Sequence, residues 1–198
     1  MAHYFENDDE LISKEKITKA KINNQDYSFI TDYGVFSKRG LDFGTRTLLE
    51  TLDITKLSGR ILDFGCGYGP IGIYIAKNTK SEVHMIDINR RSLELARKNV
   101  DLNHVNVRVY ESDIYSNVTD KFDFIISNPP IRVGKEILYQ ILFEAKEHLN
   151  NNGELWIVIS KDQGAKSVVK DLEKEYLVEV KDKNKGFYVI CAKKSVDL

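Results

Sequence analysis

Proline is scarce. The chain carries three, and two of them are adjacent, Pro129 and Pro130. Proline-rich linkers and stiff extended tracts are therefore excluded. Cysteine is scarcer still, with only Cys66 and Cys191. Neither sits in a CxxC pair or a Cys/His cluster, which argues against a zinc site. Both fall in apolar runs and read as buried strand or strand-end positions of a reduced protein. No charge sign dominates: 29 basic residues stand against 30 acidic ones, for a net charge of −1. No global field draws the chain to nucleic acid or to an anionic membrane, so any such partner must meet a local patch. No apolar run approaches the roughly 20 residues that span a bilayer. The segment Met1 to Asp9 is polar and acidic, without the apolar centre of a signal peptide. A cytoplasmic protein with no membrane partner is expected. Repeats and low-complexity tracts are absent. The four histidines, His3, His84, His104 and His148, share no motif.

What is present is regular alternation. The 198 residues, 42% of them hydrophobic, suit one domain of moderate size. Lys16 to Ile22 and Tyr27 to Thr31 alternate apolar and polar around Asn23-Asn24-Gln25, which predicts a β-hairpin. Residues 1–32 are therefore read as an N-terminal hairpin extension and 33–198 as the main domain. A glycine-bearing loop over Tyr33 to Gly44 leads to a helix over Thr45 to Asp53. From Arg60 onward strands and helices take turns. Strands are expected at Arg60–Phe64, Glu82–Ile88, Asn106–Glu111, Phe122–Ser127 and Gly153–Ser160. Helices are expected at Pro70–Asn78, Arg90–Leu102, Gly134–Leu149 and Gln163–Glu175. Two last strands, Leu177–Lys181 and Phe187–Ala192, flank a turn over Asp182 to Gly186. That turn is too short for a parallel crossover, so the pair must be antiparallel. The predicted fold class is α/β: a doubly wound, seven-stranded, mostly parallel sheet closed by an antiparallel C-terminal hairpin.

Two segments carry chemistry. Asp63-Phe64-Gly65-Cys66-Gly67-Tyr68-Gly69 joins the first strand of the main domain to its helix. Glycines there let the backbone turn tightly and approach a ligand closely. Asp87, at the end of the next strand, can accept hydrogen bonds from both hydroxyls of a ribose. Asp113, after the third strand, would lie near the adenine edge of the same ligand. Gly67 to Gly72 also matches the G-x-G-x-x-G dinucleotide fingerprint, with Asp87 about 20 residues on. An oxidoreductase therefore stands as a rival reading. Two features favour a sulfonium methyl donor, S-adenosylmethionine. Asp63 suits a cationic amino-acid end, and Pro70 removes an N–H where a pyrophosphate would want one.

Ser127-Asn128-Pro129-Pro130-Ile131 follows the fourth strand. Carboxyl ends of strands near the switch point of a sheet are where α/β folds bind ligands. The lone pair of an exocyclic amine on a base is delocalised into the ring and attacks poorly. The Asn128 side-chain carbonyl and the Pro129 main-chain carbonyl can together hold such an amine and turn its lone pair toward a methyl carbon. Pro129 and Pro130 restrict the backbone and make that pair rigid. Catalysis would then be mainly positioning, and it asks for no metal.

Taken together, these motifs resemble class I S-adenosylmethionine-dependent methyltransferases acting on amino groups of bases. Gly34-Val35-Phe36-Ser37, Leu41-Asp42-Phe43-Gly44-Thr45 and Leu48-Leu49 resemble, more narrowly, the small-subunit (16S) ribosomal RNA guanine-N2 methyltransferases, in a single-domain form. The resemblance implies donor contacts from Asp63, Gly65, Cys66, Gly67, Gly69, Asp87, Ile88, Asp113, Ile114 and Asn128. It implies catalysis by Asn128, Pro129 and Pro130, and substrate contacts from Phe36, Ser37, Arg39, Ile131 and Arg132. The implied partner is ribosomal RNA or the small ribosomal subunit, met by a monomer or homodimer. Related enzymes often carry a base-stacking aromatic where this chain has Ile131; Phe36 or Tyr33 stands as a substitute. Lys38, Arg39, Arg46, Arg132 and Lys135 are candidate phosphate contacts. The lysines from Lys166 to Lys185 alternate with acids and read as plain surface. The Asn-Pro-Pro motif would serve an adenine N6 amine or a protein glutamine amide equally well. A methyltransferase-like RNA-binding module without activity is a further alternative.

Overall fold

The computed structural model describes residues 14–32, 40–130 and 133–195. Strands β1 (Lys16–Ile22) and β2 (Gln25–Thr31) form a two-stranded antiparallel sheet of their own. The turn between them is Asn23-Asn24, both with positive φ, the backbone a two-residue hairpin loop requires. After helix α1 (Phe43–Thr51) come β3 (Arg60–Phe64), α2 (Pro70–Asn78), β4 (Glu82–Asp87), α3 (Arg90–Leu102) and β5 (Arg108–Glu111). Then follow β6 (Phe122–Ser127), α4 (Gly134–His148), β7 (Leu149–Ser160), α5 (Ala165–Leu172), β8 (Leu177–Asn184) and β9 (Phe187–Lys193).

The main sheet runs β5-β4-β3-β6-β7-β9-β8. Its first five strands are parallel, and β9 is antiparallel to both β7 and β8. This is the predicted architecture. Chain order reverses beside β3: the chain steps outward to β4 and β5, then returns to place β6 on the other side. The carboxyl ends of β3 and β6 therefore flank the switch point, where a crevice opens between diverging connections.

Side chains alternate across the sheet and sort into two cores. Ile61, Ile126, Val158 and Val189 pack under α1, α2 and α3 on one face. Leu62, Ile125, Ile157 and Ile190 pack under α4 and α5 on the other. The N-terminal hairpin is built into the first core through fully buried Ile22, Tyr27 and Phe29. Each such side chain contributes about 1.5–3 kcal/mol by leaving water. Polar ties fix its position on α3: Asn99 accepts from Ile30 N and donates to Ile30 O, while Asn103 donates to Ser28 O.

Several boundaries differ from those expected. Helix α1 starts at Phe43, because the Asp42 side chain caps it by accepting from Thr45 N. Strand β5 starts two residues late, at Arg108. Strand β7 starts early, at Leu149, and takes in an irregular stretch where its register against β6 shifts. Helix α5 is shorter than the predicted span, being preceded by a 3-10 turn with a Ser160–Gln163 capping box. Residues Asp182 to Asn184 were expected in a turn but extend β8. The turn itself is Lys185-Gly186, both with positive φ, so two residues close the hairpin. Among the described residues no helix is long and apolar enough to cross a membrane.

Candidate active site

The glycine loop leaves β3 and enters α2 in a left-handed path, with φ of 67° at Gly65, 56° at Gly67 and 97° at Gly69. Cross-strand bonds hold it down: Cys66 N donates to Ile86 O at 2.8 Å, and Gly69 N donates to Cys66 O at 2.9 Å. Asn99 Nδ2 supports Tyr68 O from below at 2.9 Å. A Cβ at Gly65 would meet nothing within 4 Å, so open space adjoins the backbone there. A Cβ at Gly72 would instead come within 2.4 Å of Met85 Sδ. The fingerprint's last glycine thus serves close packing of α2 on β4.

Asp63 is fully buried. Its Oδ2 accepts from Gly72 N at 2.8 Å, while Oδ1 has no hydrogen-bond partner in the structure. Burial pushes this carboxyl up to about 7, the Gly72 bond opposes the shift, and the nearby Asp87 charge adds to it. An orphaned, proton-hungry carboxylate under a glycine loop is the kind of group a bound cation satisfies. Burial also raises the Cys66 thiol well above its ordinary range, which leaves Cys66 a wall of the loop and a poor nucleophile.

Asp87 ends β4 at 3% exposure, and both its oxygens are oriented by the main chain. Gly67 N donates to Oδ2 and Asn89 N to Oδ1, each at 2.9 Å. The same carboxylate therefore ties the glycine loop to the start of α3. Ile88 follows it, half-buried, in the bend before α3. Beyond β5, Ser112 N bonds to Asp87 O, which brings the next loop alongside. There Asp113 is exposed, and Ile114 holds a φ of 50°. A β-branched residue in that region stores roughly 1–3 kcal/mol of strain. The Ser112 hydroxyl helps hold it by donating to Ile114 O at 2.9 Å.

Asn128 stands at the end of β6. The Ser127 hydroxyl bonds to Phe64 O at 2.8 Å, so the end of β6 is fixed to the residue preceding Gly65. Asn128 and the glycine loop are thus neighbours across the switch point. The Asn128 side chain is half-buried, and its Nδ2 donates to Asp42 Oδ1 at 3.1 Å and to Thr45 Oγ1 at 3.0 Å. Pro129 is buried and Pro130 half-buried behind it.

The structure thus brings Asp63, Gly65, Cys66, Gly67, Gly69, Asp87, Ile88, Asp113, Ile114 and Asn128 to one pole of the sheet. Phe36, Ser37, Arg39, Ile131 and Arg132, together with Tyr33, Lys38 and the Gly34-Val35 pair, lie outside the described residues. Arg46 is half-buried, bonds to Lys21 O and pairs with Glu50, so it braces the hairpin. Lys135 lies over the Tyr139 ring at 5.0 Å. Of the histidines, His84 is fully buried against Tyr110 and Phe122, and His148 stacks on Tyr115. Asn89, Asn99 and Ser127 escaped sequence reasoning as supports of the site. Their long-range bonds leave no local signal, except that Asn89 reads as a helix cap. Among the described residues no group of three acidic, histidine or cysteine side chains could hold a metal.

Comparison with known proteins agrees with this fold. Residues 26–191 match the family model "Methyltransferase small domain". The chain is 44% identical over 197 residues to "Uncharacterized protein YbxB" of Bacillus subtilis (strain 168), covering 97% of this chain and 98% of that one. It is 46% identical over 130 residues to "Ribosomal RNA small subunit methyltransferase C" of Haemophilus influenzae (strain ATCC 51907 / DSM 11121 / KW20 / Rd). That match covers 63% of this chain and 39% of the relative, and such matches span less than half of these relatives. Among solved structures it superposes with a TM-score of 0.81 and 25% identity on the T. thermophilus 16S rRNA N2 G1207 methyltransferase (RsmC) in complex with AdoMet and guanosine. The superposition covers 91% of this chain and 50% of that one.

Proposed function

The chain belongs to the methyltransferase small-domain family and is an S-adenosylmethionine-dependent methyltransferase; from that premise we propose that it methylates the N2 amine of a guanine in small-subunit ribosomal RNA. The family match also decides between the two readings of the glycine loop, in favour of the methyl donor over a nicotinamide dinucleotide. Two relatives support the substrate: the H. influenzae protein carries ribosomal small-subunit methylation in its name, and the T. thermophilus structure holds guanosine.

When bound, S-adenosylmethionine supplies an electrophilic methyl group. The chain's own residues do the rest. Asp87, preset by Gly67 N and Asn89 N, would accept from the ribose hydroxyls. Gly65 lets the backbone come close, since no side chain fills the space beside it. Asp63 supplies negative charge beneath the loop. Ile88, Asp113 and Ile114, on the loops after β4 and β5, would hold the base end of the donor. Asn128 Oδ1 and Pro129 O accept the two N–H bonds of the target amine. They aim its lone pair along the line of displacement and favour the charge that develops on nitrogen. One N–H proton is then released to solvent. The observation that carries the reading is the fixed Asn128 amide, whose NH₂ is already committed to Asp42 and Thr45.

Incubation with labelled S-adenosylmethionine and, separately, small ribosomal subunits, naked 16S rRNA, DNA and ribosomal protein tests the substrate class. Label is expected in the rRNA, on the particle or on naked RNA. Label confined to protein or to DNA would contradict the assignment.

Asp63 gives the donor site a pH signature. Its folded-state pKa of about 7 lies above the ordinary carboxylate value near 3.8. The folded, donor-free protein therefore binds more protons than the unfolded chain between about pH 4 and pH 7. This stabilising contribution is full below pH 4, declines as pH rises and is gone above about pH 7, at about 1.4 kcal/mol per unit within the window. A cationic donor needs the ionised form, so donor affinity should rise up to about tenfold per pH unit below 7 and then level off. Calorimetry across pH 5.5 to 8.5 checks this. Asp63→Asn should flatten the profile, and an equally steep profile in that variant would remove Asp63 from the donor site.

A further inference from the structure

We propose that Asp42 and Thr45 are positioning residues for methyl transfer, holding the Asn128 amide so that its carbonyl oxygen faces the target amine. The proposal rests on the reading of Asn128 as the group that orients that amine. An asparagine amide is nearly symmetric in shape but opposite in chemistry at its two ends. Presented carbonyl first, it accepts from an NH₂ group. Presented NH₂ first, it sets donor against donor and leaves the amine unheld. Something must therefore choose the face.

Asp42 makes the choice. An ionised carboxylate accepts and cannot donate. The Asn128 atom at 3.1 Å from Asp42 Oδ1 is therefore the nitrogen, and Thr45 Oγ1 takes its second proton at 3.0 Å. The clamp thus engages the nitrogen end of the amide and leaves the carbonyl end for a substrate donor. Among the described residues no protein donor is bonded to Asn128 Oδ1.

The clamp is itself held. Asp42 is the N-cap of α1, with extended backbone, and the same Oδ1 accepts from Thr45 N at 3.0 Å. Thr45 is 3% exposed. Helix α1 seats closely on the start of β9: a Cβ at Gly44 would come within 3.0 Å of the Phe187 ring and 3.2 Å of Asp42 Oδ1. Phe43 packs on Phe187 with ring centres 5.6 Å apart. Without the clamp the half-buried amide could turn over, since its two ends are nearly alike in shape. One carboxylate oxygen therefore does two jobs, capping a helix and fixing an amide 86 residues away.

Capping and clamping can be separated by substitution. Serine caps a helix as well as aspartate does, but its hydroxyl is too short to reach Asn128. Asparagine can cap and still present an acceptor oxygen in place of Oδ1. Asp42→Ser is expected to keep its melting temperature, its donor affinity and its KM for RNA, yet lose at least about tenfold in kcat. Asp42→Asn is expected to recover most of that loss. In the Asp42→Ser background, Asn128→Ala should cost far less than it does alone, because the two residues act as one unit. Near-normal kcat in Asp42→Ser would overturn the proposal. So would equal losses of kcat and stability in both the serine and asparagine variants, which would mean that only the cap matters. Asn128→Ala measured alongside separates the levels: if it turns over normally, the role of Asn128 has failed; if it is inactive while Asp42→Ser is active, only the positioning role has.

Discussion

Replacing Asn128 by alanine is expected to cut methyl transfer by about 100-fold or more while leaving S-adenosylmethionine affinity within about twofold. The size follows from what is removed. In the proposed mechanism the side-chain carbonyl is a preoriented acceptor, its amide held through Nδ2 by Asp42 and Thr45, and it would need no reorganisation when charge appears on the amine. Deleting one such preorganised group typically costs about 10²–10³ in turnover. In the proposed site the main donor contacts, Asp63 and Asp87, lie on other strands, at the ends of β3 and β4. Asn128 adds at most a minor contact, so donor binding should be largely spared. Substitution also leaves Asp42 and Thr45 bonded to each other through the cap, so α1 should remain folded. Single-turnover kinetics at saturating RNA, with calorimetry of the donor, separate the two effects. Near-normal turnover would take Asn128 out of the chemistry.

Asp87→Ala should do the reverse. Hydrogen bonds to a charged group contribute about 1.5–3 kcal/mol, so donor affinity should fall roughly 10- to 150-fold. Part of that loss would be indirect, because Gly67 N and Asn89 N both rely on the Asp87 carboxylate. Leaving two such donors unpaired loosens the glycine loop and should lower thermal stability as well. Asp87→Asn keeps an acceptor for only one of these N–H groups and should fall between wild type and alanine. Calorimetry showing unchanged donor affinity in Asp87→Ala would refute the ribose contact.

The sheet was legible because its signals are local. Phe122 to Ser127 is nearly continuously apolar, which suggests a strand covered on both faces. The hairpin from Leu177 to Lys193 had to be antiparallel for lack of crossover length. Turn limits were less legible: Lys185 adopts positive φ without the asparagine or glycine that usually announces it. At the site, the spacing of the glycine loop and Asp87 pointed to a nucleotide-like ligand but left methyl donor and dinucleotide both open. Asp63 was visible as an acid near the loop, but its burial and unpartnered oxygen depend on how α2 lies on β4. Asp42 and Thr45 read as an ordinary helix cap. Their bonds to Asn128 arise only when α1, packed on β9, brings its first turn to the end of β6, a long-range fact that no local pattern encodes.

The most direct test of the central claim is to locate the transferred methyl by nucleoside mass spectrometry of rRNA treated with wild-type protein and S-adenosylmethionine. Two acceptors at Asn128 and Pro129 require a substrate atom bearing two hydrogens. Several base amines meet that requirement; the one proposed for this chain is guanine N2, so N2-methylguanosine is the expected product. N6-methyladenosine would keep the acceptor pair but overturn the guanine assignment. A methyl group on a ring nitrogen, a ring carbon or a ribose oxygen would contradict the account, because none of those atoms offers an NH₂ for the pair to hold.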